Sequence, residues 1–277
     1  MDPRLDQVFF VNDFAEGFYR GNTAAVVLLD EYPADAAMLA LASEFGFSET
    51  AYLVPRGGSC YHIRWFTPEV EVPLCGHATL ASAAALFSGI EAAAGRILFT
   101  SLSGELRAAR SGDLIELDFP ADNPLPAQDD PEVCDALSAH APVSVWSARG
   151  TRNLMLVYDS PDKVLEMKPD FARMKAISGK PWFGIAVTAP GQDTDYLCRY
   201  FAPWEGINED PVTGSAQTFL APWWAQRLGK STLSGYQASA RGGRFQVGIS
   251  GNRVLIRGGA LIWLRGEIPV GWRGAGL

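Results

Sequence analysis

The β-branched and aromatic run "QVFFVNDF" (7–14) and the apolar run "AAVVLL" (24–29) flank "AEGFYRGNT", whose Gly17 and Gly21 mark turns, so the chain is predicted to open with a β-hairpin. In "YPADAAMLALASEFG" (32–46), Met38, Leu41, Ala42 and Phe45 recur at helical spacing, with Pro33 near the start and Gly46 at the stop. This predicts an amphipathic helix. Strands are expected at "TAYLVP" (50–55), "YHIRWF" (61–66), "RILFTSLSG" (96–104) and "LIELDFP" (114–120), with one apolar helix over 77–88 among them. A sheet wrapped around a buried helix fits that order. The stretch "PADNPLPAQDDPE" (120–132) is rich in Pro and Asp and reads as a linker, which places a domain boundary near residue 120.

Beyond that boundary the pattern begins again. "RWFTP" (64–68) recurs as "RYFAP" (199–203), and "CGHATLASAAALF" (75–87) as "TGSAQTFLAPWWA" (213–225). Pro68 precedes Gly76 by eight positions and Pro203 precedes Gly214 by eleven, a difference that one short loop insertion explains. In each copy a Gly and small residues open an apolar helix, whose first N–H groups and positive dipole end would suit a carboxylate or phosphate. The two starts are expected to converge on a shared cleft. Trp223 and Trp224 are expected to pack the second helix, and "RVLIRGGALIWLRGEI" (253–268) to complete a sheet.

Composition narrows the function classes. Of 277 residues, 48% are hydrophobic and 11% aromatic, enough for a sizeable core or two smaller ones. The 31 acidic residues outnumber 23 basic ones, for a net charge of -8, and no basic run suited to a phosphate backbone occurs, so nucleic acid is not an expected partner. Four separated cysteines, Cys60, Cys75, Cys134 and Cys198, form no zinc-ligand pattern and suit a reducing compartment. No metal is expected. With no apolar leader at the start and no apolar stretch of 18 residues, the protein is expected to be cytoplasmic, with no membrane partner. The glycine pairs near the C-terminus lack the strand, spacing and Lys of a nucleotide loop.

Candidate chemistry centres on Glu49. It stands between Ser48 and Thr50, after the helix stop and before an apolar strand, where desolvation is expected to raise its pKa and let it shuttle a proton. Spacing alone fits a solvated turn glutamate better. His77, in the first turn of the apolar helix, could orient a substrate or relay a proton, although a lone His is more often structural. Cys75 has no thiol counterpart in the second copy, where Thr213 stands, which argues against a two-thiol racemase and makes Cys75 a small residue at the helix entry. Cys198, on a strand, is expected to be buried packing.

Several motifs together resemble the PhzF-like family of phenazine-biosynthesis isomerases: "GNTAAVV" (21–27), "SET" (48–50), "RWFTP" through "EVPLCGHAT" (64–79), "FTSLSGEL" (99–106), "LDFP" (117–120), "RYFAPWEGINEDPVTGSA" (199–216) and "RGG" (241–243). The resemblance spans nearly the whole chain. It implies an α+β, diaminopimelate-epimerase-like fold of two pseudo-symmetric domains, 1–120 and 121–277, each a curled, mostly antiparallel sheet around a central helix, with the active site between them and the last strand crossing back to the first domain. It implies a cofactor-independent isomerase that shifts a double bond on a small cyclic carboxylate. In that reading Glu49 is the acid/base, with His77, Asp210 and Ser215 completing the catalytic set. Cys75, Gly76, Thr213, Gly214, Ala216, Gln217 and Asn22 would line the substrate site, the amides at Gly76 and Gly214 taking the carboxylate. A homodimer is implied as well. Gln217 stands where many members carry His, which removes a group that could change charge near neutral pH. Thr23 replaces the more usual Pro and is expected to loosen a turn. An epimerase or racemase on the same fold, or a non-catalytic protein that kept it, are the competing readings.

Overall fold

The computed structural model describes residues 5–137, 140–179 and 181–274. The chain divides into two compact units, the first formed by residues 1–118 and 257–277 and the second by 119–256. The division falls after Asp118, two residues before the stretch 120–132 read as a linker. Residues 257–274 lie with the first unit, within the half 121–277 whose last strand the resemblance has crossing back.

In the first unit, β1 (Leu5–Asp13) and β2 (Asn22–Leu28) form the expected antiparallel hairpin. Helix α1 (Asp35–Phe45) leads from β2 to β3 (Glu49–Gly57), which lies parallel to β2. Gly46 ends α1 in the left-handed region at φ 67°, its N–H reaching the Ala42 carbonyl, a conformation that favours glycine. Strand β4 (Cys60–Phe66) turns back antiparallel, followed by the short β5 (Glu71–Val72). Helix α2 (Gly76–Phe87) then connects β4 to its parallel partner β6 (Arg96–Ser101), and β7 (Gly104–Ser111) and β8 (Leu114–Pro120) continue as antiparallel neighbours.

The second unit repeats this grammar. After β9 (Leu125–Pro126) and α3 (Pro131–Ala136), β10 (Ser144–Ala148) pairs antiparallel with β11 (Asn153–Val157). Helices α4 (Pro161–Leu165) and α5 (Phe171–Ala176) lead to the parallel β12 (Gly184–Pro190), and β13 (Tyr196–Phe201) follows antiparallel. Helix α6 (Gln217–Leu228) links β13 to its parallel partner β14 (Thr232–Gln237), and β15 (Gly243–Ser250) closes the series. The order antiparallel, parallel, antiparallel, parallel, antiparallel is thus the same from β1 to β7 as from β10 to β15. Each parallel pair is joined through helix, as such pairs require. Strand β16 (Arg253–Gly258) precedes β17 (Ala260–Pro269), which pairs antiparallel with β1.

All twelve residues of α2 are buried, and the helix packs on β1, β2, β3, β7 and β17. Its Ala, Ser and Thr run lets the strands approach closely, while Leu80, Leu86 and Phe87 supply apolar volume. On β1 to β4, Val8, Val27, Tyr52, Val54 and Phe66 pack with Met38 and Ala42 of α1. In the second unit, Leu154, Leu156, Ile185, Val187 and Phe201 pack with Val133, Val164 and Met174 of the short helices. Trp224 stacks on Tyr196 at 5.7 Å and donates its indole N–H to the Thr188 hydroxyl, so both α6 tryptophans are core residues.

One helix start differs from expectation. The sequence repeat aligns Gly76 with Gly214, yet α2 begins at Gly76 whereas α6 begins at Gln217. Residues 214–216 form a tight turn instead, with Gln217 N–H bonded to the Gly214 carbonyl and Thr218 N–H to that of Ser215. Thr23 does not loosen its turn either: it lies in β2 opposite Asn12, and its hydroxyl donates to Asn12 Oδ1 at 2.7 Å. Among the described residues, no helix is long and apolar enough to cross a membrane.

Candidate active site

Three chain segments of the first unit place its site. Glu49 is the first residue of β3, opposite Ala24 of β2; Cys75 is the N-cap of α2, in extended conformation, and His77 lies in the first helical turn; Asp13 ends β1, opposite Asn22. Strand β3 therefore delivers Glu49 where the α2 N-terminus delivers the Cys–Gly–His corner. The outcome is a buried polar cluster in an apolar unit.

At its centre is the imidazole. His77 Nε2 lies 3.1 Å from Glu49 Oε2 and 3.3 Å from Ser48 Oγ, while Nδ1 lies 3.4 Å from Cys75 Sγ. Ser48 in turn donates to Asn22 Oδ1 at 3.2 Å. The approach of Nε2 to Glu49 is at ion-pair distance without an aligned N–H···O bond, which leaves Oε2 buried with no strong donor. An acceptor of that kind has capacity for an incoming proton.

The electrostatics reverse one expectation. Burial alone raises the Glu49 pKa, as the sequence predicted, but the positive charge of His77 and the nearby polar hydrogens of His77, Ser48 and Cys75 outweigh it, so the carboxyl is held below its ordinary range. Burial also disfavours the His77 imidazolium, and Cys75, Glu49 and Asp13 outweigh that, lifting its pKa well above 6.5. Burial, helped by the Glu49 charge, pushes the Cys75 thiol up to about 12. These directions favour the carboxylate, imidazolium and thiol forms of the cluster.

Glu49, Cys75 and His77 offer oxygen, sulfur and nitrogen donors within 4.8 Å of one another. The ring, however, meets the thiol through Nδ1 and the carboxylate through Nε2, on opposite edges.

The other predicted residues form a second cluster, within the second unit. Asp210 Oδ2 accepts from the Thr213 hydroxyl at 2.5 Å. Gln217 is fully buried: its Oε1 accepts from the Tyr196 hydroxyl at 2.6 Å and its Nε2 donates to the Thr213 carbonyl at 3.1 Å. Both ends of that amide are engaged within the unit, so Gln217 supports the Thr213 segment and does not line a surface. Ser215, half-buried, and Gly214 and Ala216 make the turn before α6. Cys198 is buried on β13, 3.9 Å from both Gln217 Nε2 and Gln237 Oε1, a packing position as expected.

Sequence reasoning missed Asp13 and Gln237. Asp13 carries no local signal beyond its place at a strand end in the hairpin. Gln237 lies in the unremarkable "SGYQAS", and only the β13–β14 pairing brings it to the Asp210 segment.

A family model described as "Phenazine biosynthesis-like protein" matches residues 11–266. The chain belongs to this family. An uncharacterised isomerase of Pseudomonas aeruginosa is 44% identical over 261 residues, covering 94% of this chain and 98% of the relative. The crystal structure of a PhzF-family phenazine biosynthesis protein from Enterococcus faecalis superposes with a TM-score of 0.89 at 39% identity, covering 96% of this chain and 99% of that one. A hydroxyproline epimerase from Agrobacterium vitis, 12% identical over 97% of this chain and 95% of its own, gives a TM-score of 0.62 and shares the fold alone. The α+β, epimerase-like fold expected for this PhzF-family chain is therefore the fold it has.

Proposed function

We propose that this chain, an isomerase of the phenazine-biosynthesis-like family, moves a proton between two carbons of a small, conjugated carboxylate, with Glu49 as the group that takes the proton and returns it. The observation that carries this reading is the buried Glu49 carboxylate, whose Oε2 faces the His77 imidazolium without an aligned donor. In the forward step Oε2 accepts a proton from a carbon next to the conjugated system, and the C–H electrons enter that system. The same carboxyl then delivers the proton to a second carbon, and the double bond shifts. No group from outside the chain is required for the proton to balance.

His77 serves this chemistry in two ways. It keeps Glu49 ionised before the substrate arrives, and its positive charge stabilises the dienolate that forms. A substrate carboxylate competing for that charge weakens its hold on Glu49, which raises the basicity of Oε2 when a base is needed. Ser48 and Asn22 fix the ring on the Nε2 side and Cys75 on the Nδ1 side. Asp210 and Ser215 are taken, on the family's pattern, as the acid and hydroxyl that help hold the substrate. Two-thiol epimerisation fits less well, because the second copy offers the Thr213 hydroxyl where it would need a sulfur.

The test is proton–deuterium exchange in D2O, followed by NMR, with wild type and Glu49→Gln offered a panel of cyclic dienyl and amino-acid carboxylates. Exchange or double-bond migration in the wild type alone supports the proposal. Migration at the wild-type rate in Glu49→Gln overturns it. Loss of optical activity in an amino acid without double-bond migration would favour the epimerase reading.

A further inference from the structure

The Asp210 segment is held by a side chain that neither the repeat nor the family motifs single out. Gln237, at the end of β14, is fully buried. Its Oε1 accepts the Thr213 backbone N–H at 2.9 Å, and its Nε2 donates to the Asp210 carbonyl at 2.7 Å and to Thr213 Oγ1 at 3.1 Å. The orientation of this amide follows from its partners, since a backbone N–H can only donate and a backbone carbonyl can only accept. Oε1 therefore faces Thr213 N–H, and Nε2 faces the Asp210 carbonyl.

That orientation sets the protons beyond it. Thr213 Oγ1 accepts from Nε2, so its own hydrogen is free to point elsewhere, and it points to Asp210 Oδ2 at 2.5 Å. The chain of donors runs from Gln237 through Thr213 to Asp210 and ends on an oxygen that must accept. A protonated Oδ2 would place two hydrogens in one short contact. The network thus selects the ionised form of Asp210 at this oxygen.

We infer that Gln237 is a positioning residue: through Thr213 it fixes the backbone of residues 210–213 and keeps Asp210 an acceptor. The inference rests on the proposed function only for the use made of Asp210; the proton order itself does not depend on it. Other groups also pack on the segment. Tyr200 of β13 accepts the Asp210 N–H at its backbone carbonyl and donates its hydroxyl to Asn153, and burial keeps that phenol protonated. Glu205 faces Tyr200, and Cys198 stands between the two glutamines with its thiol held neutral by burial. Ser239 anchors the far end by donating to the Pro211 carbonyl.

The experiment is a 13C NMR titration of side-chain-labelled aspartates in the ligand-free full chain, the Asp210 signal being assigned by its loss in Asp210→Asn. Thr213→Val removes only the hydroxyl and keeps the N–H, whereas Gln237→Met removes the amide at similar volume. Each is expected to move the Asp210 titration midpoint up by about one unit, the size expected for loss of one charge-assisted bond. The double variant is expected to shift no further than either alone, because one chain of bonds carries the effect. If Gln237→Met unfolds, Thr213→Val alone decides the proton order, and Gln237→Glu, which keeps the Thr213 acceptor and removes the donor, decides the role of the amide. A folded Thr213→Val with an unmoved Asp210 midpoint overturns the inference, as does a Gln237 variant that loses stability while that midpoint stays put. Because no substrate is used, this result is independent of whether the isomerase proposal stands.

Discussion

At the residue scale, the first unit's site depends on charges buried together. Glu49→Gln keeps the shape of the side chain and removes its ionisable oxygen, so proton transfer is expected to fall by about 10²- to 10⁴-fold with little change in ligand affinity, as read by separate turnover and binding assays. Cys75→Ser is expected to retain most activity, since the thiol stays neutral and serves the ring only as a neighbour of Nδ1. A loss of several orders of magnitude there would restore a thiol mechanism. The pH dependence has a definite sign. The lowered Glu49 value gives stability that is present above 4.5 and lost as pH falls through the folded value. The raised His77 value gives stability that is present below 6.5 and lost as pH rises through its folded value. Turnover is expected to fall on both sides, in acid as Glu49 gains its proton and in alkali as His77 loses its own, which a pH–rate profile of kcat/KM measures. The sequence pointed to Glu49, His77 and Cys75 as neighbours in chemistry, but it gave the wrong direction for the Glu49 shift. Burial can be read from apolar flanks, whereas the opposing imidazolium comes from a helix 28 positions away.

At the scale of the element, what matters is how tightly the strands close on the helices. Gly21 shows this in the β1–β2 hairpin. It sits at φ 72°, and a Cβ there would lie 2.0 Å from the Asp13 carbonyl oxygen. Gly21→Ala is therefore expected to destabilise the first unit by about 1–3 kcal/mol and to disturb the end of β1 that carries Asp13, as measured by denaturant unfolding. Helix α2 was legible as a helix because its small and apolar residues run without interruption, and it lies one residue earlier than the 77–88 expected. The start of α6 was placed three residues too early. Sequence similarity aligned Gly214 with Gly76, but the backbone at 214–216 makes i to i+3 turns whose geometry no residue type there announces. Gln217 shows the same gap between identity and placement. Its departure from the family suggested a tuned pocket, yet the side chain is committed to Tyr196 and Thr213.

At the scale of the whole chain, the internal repeat is the strongest signal, because two short motifs at matched spacing recur 135 to 138 positions apart and the strand pairings repeat with them. What the sequence did not reveal on its own is that the last strand belongs to the first unit. Strand β17 supplies the second neighbour of β1, and the turn at Val270–Gly274 brings Trp272 and Arg273 onto the buried Asp6 carboxylate, with Arg273 also paired to Asp30. A chain ended at Ile256 is expected to lose cooperative unfolding of the first unit, because β1 loses a full strand partner and Asp6 loses its charge partner. Hydrogen exchange would show it as lost amide protection in β1 to β4 with protection retained in β11 to β13.

The most direct measurement is the 15N NMR titration of the three histidines in the ligand-free chain, with His77 assigned by His77→Asn and the series repeated in Glu49→Gln. His77 is expected to be an imidazolium at pH 7, titrating well above 6.5, with a midpoint that falls when Glu49 is replaced. A neutral His77 at pH 7, or a midpoint indifferent to Glu49, would contradict the buried ion pair on which the proposed proton transfer rests.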